Sequence, residues 1–177
     1  MLTLCILGFL NEEPLHAYDL RARISGLSGH VRPVSDGALY PAIKRLEAAG
    51  HLSRHTEPGE RATPRQVLSL TESGRAELMR RLREPAELEV TDRNSFFILL
   101  AFLGQLPSPA DQVHVLRRRL AFMDEPGSYF YEDGRPLRAG EMTDRFRRGM
   151  LQLAHATSKA DHAWLERTIA ELAQPTR

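Results

Sequence analysis

Two short strand-like segments, joined by a loop that begins with a Pro-Gly pair, constrain the fold more than any other feature of this chain. Residues 52–57 and 65–70 each fit a short β-strand, and residues 58–59 read Pro-Gly. Proline fixes φ and glycine tolerates positive φ, so this pair is typical of a turn or loop. The stretch therefore predicts a β-hairpin inside a chain whose other patterns are helical.

Two helical segments open the chain. Residues 2–10 are apolar on nearly every side, which predicts a short buried helix. In the next segment Ala17, Leu20 and Ile24 recur at intervals of three and four, and predict a second helix over residues 15–25. Two predicted helices therefore precede the hairpin in the sequence.

A third helix is predicted between residues 35 and 50, immediately before the hairpin. Ser35 or Asp36 can cap its free N–H groups, and Gly50 is a natural stop. Pro41 lies past the first turn and removes a hydrogen bond, so we expect a tight or irregular first turn. The stripe that faces the core consists of Leu39, Ile43 and Leu46.

A fourth helix follows the hairpin, with Thr71 as its cap and Leu78 and Leu82 on its apolar face. The order helix, helix, helix, hairpin, helix is that of a winged helix-turn-helix. We therefore predict a winged helix-turn-helix domain at residues 1–84. The fold class expected for the whole chain is mainly α with a small β-hairpin wing.

The remaining chain is predicted to be helical, as a second domain at residues 92–177 after a junction at residues 85–91. Ser108, Pro109 and Asp111 mark the start of one helix, because they suit the cap, first and third helical positions. The aromatic stretch at residues 126–137 is expected to be a loop.

A long final helix is predicted from about residue 138 to residue 173. A helix of that length cannot bury its apolar stripe within one small domain, so we expect it to pack on a second copy of the chain. The side chains predicted to form this homodimer are Leu116, Leu120, Met142, Phe146, Met150, Leu153, Trp164, Ile169 and Leu172.

The net charge, the cysteine content and the lengths of the apolar runs argue against a strongly basic, a secreted and a membrane-spanning protein. The formal net charge is only +1, although residues 1–83 carry 12 Lys and Arg against 9 Asp and Glu. The single cysteine, Cys5, fits a reducing compartment, and no apolar run approaches the roughly 20 residues needed to span a bilayer. We expect a soluble cytoplasmic protein.

No set of residues suggests catalysis. The seven histidines make no zinc spacing with Cys5, and no glycine-rich phosphate loop or nucleophile motif is present. His155 and His162 lie two helical turns apart, and solvated histidines are the simpler interpretation. The sequence therefore predicts a protein that is not an enzyme and uses no cofactor or metal.

The third helix carries the candidate functional residues. In a winged helix this element enters the major groove, while the hairpin follows the backbone or the minor groove. Tyr40 and Lys44 suit phosphate oxygens, and Ser35 and Asp36 could reach base edges. The full set predicted to contact double-stranded DNA is Ser35, Asp36, Gly37, Ala38, Tyr40, Pro41, Lys44, Arg45, Arg54, Arg61 and Arg65.

Three motifs resemble those of the PadR family of transcriptional regulators. They are LTLCILGFLNEEPLHAYDL, VSDGALYPAIKRLEAAGHL and PRQVLSLTESGRAEL, which together cover residues 2–83, and the run ALYPAIKRLEAAG is the most specific. By this resemblance Tyr40 matches the family's signature tyrosine, Lys44 its basic position and Gly37 its glycine at the helix start. Residues beyond 83 resemble the helical dimerisation domain of longer members.

The resemblance implies a homodimer that binds inverted-repeat operator DNA as a repressor and is released by a small aromatic or hydrophobic effector. Asp36 and Ala38 depart from the family pattern at the start of the helix. An alternative is a winged-helix protein-interaction module without DNA binding, which the low net charge favours. Trp164 is interpreted as an anchor of the dimer core or, alternatively, as a wall of an effector pocket. Its companions there would be Phe96, Phe97 and Tyr129 to Tyr131.

Overall fold

The chain forms two compact units, Met1–Pro107 and Ser108–Arg177. The structure is a computed structural model and describes residues 1–27, 34–57, 65–125 and 129–174. The sequence-predicted Pro58-Gly59 loop lies outside the described residues.

The first unit contains a three-stranded antiparallel sheet among helices, which confirms the predicted fold class. Strands β2 and β3 begin and end at the predicted residues, and the four predicted helices are present. The elements are α1 (Leu2–Glu12), β1 (Leu15–His16), α2 (Ala17–Leu27), α3 (Asp36–Ala48), β2 (Leu52–Glu57), β3 (Arg65–Leu70), α4 (Glu72–Arg83), α5 (Glu87–Thr91) and α6 (Arg93–Leu103).

Strand β1 was not predicted, and the prediction that the second helix starts at residue 15 was wrong. Leu15 pairs with Leu68 and His16 with Val67, so that β3 lies in the middle of the sheet with the order β1-β3-β2. A strand of two residues has no periodicity of its own. It forms because the outer edge of β3 offers it backbone partners, which only the tertiary structure supplies.

Helix α3 ends in a Schellman motif. Gly50 has a φ of +75°, its N–H donates to Glu47 O, and the N–H of His51 donates to Leu46 O, both at 2.9 Å. This geometry reverses the chain sharply into β2. The predicted helix stop at Gly50 is therefore confirmed.

The start of α4 packs on the same corner. Thr71 Oγ1 accepts from the N–H of Gly74 at 3.0 Å, as the predicted cap requires, and donates to Gly50 O at 2.7 Å. A Cβ at Gly74 would come within 2.1 Å of His51 O, so only glycine allows this approach. These contacts hold the start of α4 against the end of α3.

The junction predicted at residues 85–91 contains helix α5, and Val90 is 2% exposed. Helix α6 packs on α1. Just after α6, the side chain of Gln105 donates to the backbone oxygen of Gly8 in α1 at 3.1 Å. Because α6 packs on α1, the structure divides the chain after Pro107 and not at the predicted junction. A sequence pattern shows that α6 is apolar but not which surface covers it.

The second unit contains two helices and a small hairpin. Ser108 caps the first helix as predicted, its Oγ accepting from the N–H of Asp111 at 3.3 Å. The elements are α7 (Pro109–Asp124), β4 (Tyr131–Glu132), β5 (Arg135–Pro136), a 3₁₀ turn (Ala139–Glu141) and α8 (Arg145–Leu172).

The β4–β5 hairpin corrects the prediction of a plain loop at residues 126–137. Asp133 and Gly134 join the strands with φ of 49° and 77°, the conformation of a type I′ turn. An Asp-Gly pair is the usual sequence signal for such a turn, so this hairpin could have been found.

Helix α8 begins at Arg145 and not near residue 138, because Asp144 caps it. The Asp144 carboxylate accepts from the N–H groups of Phe146 and Arg147 at 3.0 and 2.8 Å. The helix is 28 residues long, about 42 Å at 1.5 Å per residue. Met142, assigned to this helix from the sequence, precedes it and is 7% exposed.

Candidate nucleic-acid interface

Helix α3 turns one face into the core and another to solvent. Asp36, Tyr40 and Lys44 are exposed and lie four residues apart on one face, with Tyr40 46% exposed. All three residues predicted to face the core are buried, namely Leu39, Ile43 and Leu46. This arrangement leaves a hydroxyl, an ammonium and a carboxylate along one edge of the helix.

A second exposed row runs beside the first and consists of Gly37, Ala38, Pro41 and Arg45. A Cβ added at Gly37 would meet only Ser35 Oγ, at 4.0 Å. The fold of the free chain therefore does not require glycine at this position.

The first turn of α3 is tight, as Pro41 predicts. The N–H groups of Ala38 and Leu39 both donate to Ser35 O at 3.0 Å, the first of them a 3₁₀-type bond. The side chain of Ser35 makes no capping bond. The N–H groups at the start of a helix lack partners within it, and together with the helix dipole they favour an anion such as phosphate.

Asp36 is paired with Arg21 of α2. Nη1 of Arg21 lies 3.1 Å from Oδ1 of Asp36, and both side chains are largely exposed, 41% and 57%. The guanidinium therefore partly compensates the charge of a carboxylate at the start of α3. Arg21 was not singled out from the sequence.

Arg54 of β2 does not project freely from the hairpin. Its Nε and Nη2 donate to the two carboxylate oxygens of Glu47 at 2.7 and 3.0 Å, and its Nη1 donates to Oε1 of Gln66 at 2.7 Å. The bond to Glu47 raises the pKa of the guanidinium above its ordinary value. Neither Glu47 nor Gln66 was singled out from the sequence.

Two further residues of the wing, Arg61 and Arg65, were predicted to contact DNA. Arg61 lies outside the described residues. Arg65 belongs to β3 and pairs with Glu57 in the ladder, but its side chain is also outside the described part. His55, on the same hairpin, is exposed.

The predicted dimer residues fall into three groups within the second unit. Leu116 and Met142 are buried in that unit, so they contribute to its own core. Leu120, Trp164, Ile169 and Leu172 are half-buried. The exposed residues lie on one face of α8 at spacings of four and three, namely Phe146 (77%), Met150 (40%) and Leu153 (72%).

The aromatic residues proposed for an effector pocket belong to both units. Phe96 is buried in the first unit, and Phe97 is 45% exposed beneath the guanidinium of Arg93. Tyr129 and Tyr131 are exposed in the second unit. The pocket is therefore still a hypothesis.

Potential metal ligands are dispersed in the part of the chain that the structure describes. No group of three or more His, Cys, Asp or Glu side chains there could hold a metal ion. Cys5 is 2% exposed, and burial raises the pKa of its thiol to about 11, which keeps it protonated. Among the described helices, none combines the length and hydrophobicity needed to cross a membrane.

A comparison with protein families decides the assignment. Residues 6–80 match the family described as "Transcriptional regulator PadR-like family". Over these residues the chain is similar to PadR-like transcriptional regulators. The match begins within α1, ends within α4 and includes α3 and the whole sheet, and the resemblance inferred from the motifs is confirmed.

Several solved structures are similar to the chain at low sequence identity. PadR of Bacillus subtilis in complex with operator DNA is 20% identical, with a TM-score of 0.46, over 96% of this chain and 98% of that one. A PadR-like transcriptional regulator of Bacillus cereus is 20% identical, with a TM-score of 0.43, over 96% of this chain and 94% of that one. A Streptococcus mutans protein is 27% identical, with a TM-score of 0.44, over 51% of this chain and 80% of that one.

These structural similarities are too low to transfer any residue's role, and the assignment of the PadR-like domain rests on the match over residues 6–80. No curated protein sequence matches the chain significantly.

Proposed function

We propose that this chain is a homodimeric repressor that binds inverted-repeat operator DNA by placing α3 in the major groove. The observation that carries the proposal is the exposed face of α3, where Tyr40 and Lys44 follow a helix start suited to phosphate. Helix α3 packs on β2 and α1, so these groups are held on a rigid element.

The proposed interface makes two kinds of contact with DNA, to phosphates and to base edges. Tyr40, Lys44 and Arg45 are expected to bind phosphates, with Arg61 and Arg65 adding contacts from the wing. Ser35, Asp36, Gly37, Ala38 and Pro41 surround the helix start, where base edges would be read. Lys44 and Arg45 form no ion pair within the described residues, so their charge is available to DNA.

Dimerisation is the second part of the proposal. Phe146, Met150 and Leu153 leave an apolar stripe exposed along the first half of α8. A second copy packed on this stripe would remove it from water, and a twofold axis would set two α3 helices about 34 Å apart on an inverted repeat.

A small aromatic effector that releases the DNA is the third part, and it rests on the family resemblance alone. The B. subtilis PadR structure is also known with p-coumaric acid, which makes that compound a practical probe. We expect its addition to lower the DNA affinity of the wild type if this chain responds to phenolic acids.

The chain has only two lysines, Lys44 and Lys159, and they provide a matched test. Duplex DNA would be selected from a random pool by the wild-type protein, and binding measured over a range of salt concentrations. Lys44→Ala should weaken binding to every sequence and reduce the slope of log K against log salt by about 0.9. Lys159→Ala, an exposed change on α8, should leave both unchanged.

Two results would contradict the proposal. Equal affinities and slopes for the two lysine variants would show that α3 does not lie against the phosphates. Failure of the wild type to select any duplex would favour the protein-interaction module.

A further inference from the structure

Helix α3 carries a line of four side chains whose two ends are carboxylates. Asp36, Tyr40, Lys44 and Glu47 follow at spacings of four, four and three, so they share one side of the helix. Each end carboxylate is held by an arginine from a different element, and Tyr40 and Lys44 lie between them.

The pair at the C-terminal end of the line has the stronger geometry. Arg54 donates two parallel bonds to both oxygens of Glu47, at 2.7 and 3.0 Å, and a third at 2.7 Å to Gln66. A bidentate guanidinium–carboxylate pair fixes direction as well as distance, because both groups are planar. This one side chain therefore ties together α3, β2 and β3.

Contact with a phosphate would disturb this arrangement. Each of the three guanidinium nitrogens of Arg54 already donates a hydrogen bond, and the Glu47 carboxylate beside it would repel a phosphate that approached. Lys44 lies three residues before Glu47 on the same line and is exposed, so a cation is already present for the DNA backbone.

We propose that Arg54 is a positioning residue of the interface, which sets the angle between α3 and the β2–β3 hairpin through Glu47 and Gln66 and does not itself bind phosphate. The proposal rests on the DNA-binding function proposed above. It replaces the sequence-based assignment of Arg54 as a DNA contact.

The variant Glu47→Gln separates the two roles, because they predict opposite signs. If Arg54 positions the wing, the loss of the carboxylate weakens binding by about tenfold, with the salt dependence unchanged. If Arg54 binds phosphate, the same change removes a repulsive charge and frees the guanidinium, so binding becomes tighter. Tighter binding would overturn the proposal.

Arg54→Lys provides a second measurement, with the same duplex selected by the wild type. Lysine keeps the charge but cannot form the bidentate pair, so a positioning role predicts a loss similar to that of Glu47→Gln. The phosphate role predicts nearly unchanged affinity. Nearly unchanged affinity for this variant would therefore contradict the proposal.

The charge swap Glu47→Arg with Arg54→Glu tests the pair itself. A positioning role predicts recovery to within about threefold of the wild type, because the pair re-forms in reverse. A phosphate role predicts that the new carboxylate on the hairpin abolishes binding. The thermal unfolding midpoint of each variant shows whether the domain is folded at the temperature of the assay.

The two proposals fail in different ways. If the wild type selects no duplex, the DNA-binding function and this role are both wrong. If the wild type binds and Glu47→Gln binds more tightly, only the positioning role is wrong.

Discussion

The ring of Phe102 lies directly over Gly8, and a Cβ at residue 8 would come within 2.4 Å of its Cδ1. The same ring meets Phe9 edge-on, with centroids 5.0 Å apart. The backbone oxygen of Gly8 accepts the bond from Gln105. Helices α1 and α6 can pack this closely only because residue 8 has no side chain.

We therefore expect Gly8→Ala to destabilise the first unit. Alanine normally stabilises a helix interior by about 1 kcal/mol relative to glycine, but overpacking a core costs about 1–3 kcal/mol. The contact at 2.4 Å involves a ring that is almost fully buried, so the cost should exceed the gain. Urea denaturation measures the free energy of unfolding.

The matched control is Gly149→Ala in α8, where an added Cβ would meet nothing within 4 Å. This change should stabilise its helix by about 0.5–1 kcal/mol. If the two variants shift the free energy of unfolding in the same direction, the steric argument for residue 8 is wrong.

Thr71→Ala should destabilise the corner between α3, β2 and α4 by about 1–2 kcal/mol. The hydroxyl both caps α4 and donates to Gly50 O, so two hydrogen bonds disappear together. Thr71→Ser keeps the hydroxyl and should retain most of the stability. Thermal unfolding of the three proteins compares them, and equal midpoints would show that the cap contributes nothing.

Gly37→Ala is expected to change DNA binding without harm to the fold. Space for a Cβ exists in the free chain, and alanine favours the helix, so the unfolding midpoint should stay the same or rise. If the start of α3 approaches the DNA closely, the added methyl group should weaken binding by about tenfold or more. Wild-type affinity in this variant would argue against a close approach at residue 37.

Leu153→Glu should break the proposed dimer. Leu153 is 72% exposed on the apolar stripe of α8, and a carboxylate there would be buried unpaired against a second copy. Sedimentation equilibrium should show a shift from dimer towards monomer. The neighbouring exposed change Gln152→Glu adds the same charge off the stripe, and an equal shift in both variants would exclude this face.

His162 should make the second unit more stable in mild acid than in mild base. Its Nε2 lies 2.9 Å from Oδ1 of Asp124, and Glu166 lies 3.4 Å from its Nδ1, so the pKa of the imidazole is raised above 6.5. A group with a raised folded-state pKa contributes fully below its unfolded pKa, and the contribution is lost as the pH rises through the raised value.

Urea midpoints at about pH 5.5 and about pH 8.5 would measure this difference for the wild type and for His162→Gln. The variant should lose the part of the pH dependence that the histidine supplies. An identical pH dependence in the two proteins would show that the contact with Asp124 does not form in solution.

The sequence by itself determined the winged helix-turn-helix order, the bounds of β2 and β3, and the inward and outward faces of α3. These features depend on local patterns, because the apolar residues Leu39, Ile43 and Leu46 follow the helical repeat whatever lies opposite them. The caps at Thr71 and Ser108 were predictable for the same reason, since a cap depends on residues within one turn.

Only the tertiary structure decided the partners of these elements. Strand β1 exists because β3 offers it an edge, and α6 joins the first unit because Gly8 lets Phe102 approach. The pairing of Arg54 with Glu47 joins residues on two elements, so no spacing rule could distinguish it from an arginine that binds DNA. A sequence shows which side chains are charged or apolar, whereas the fold decides which of them meet.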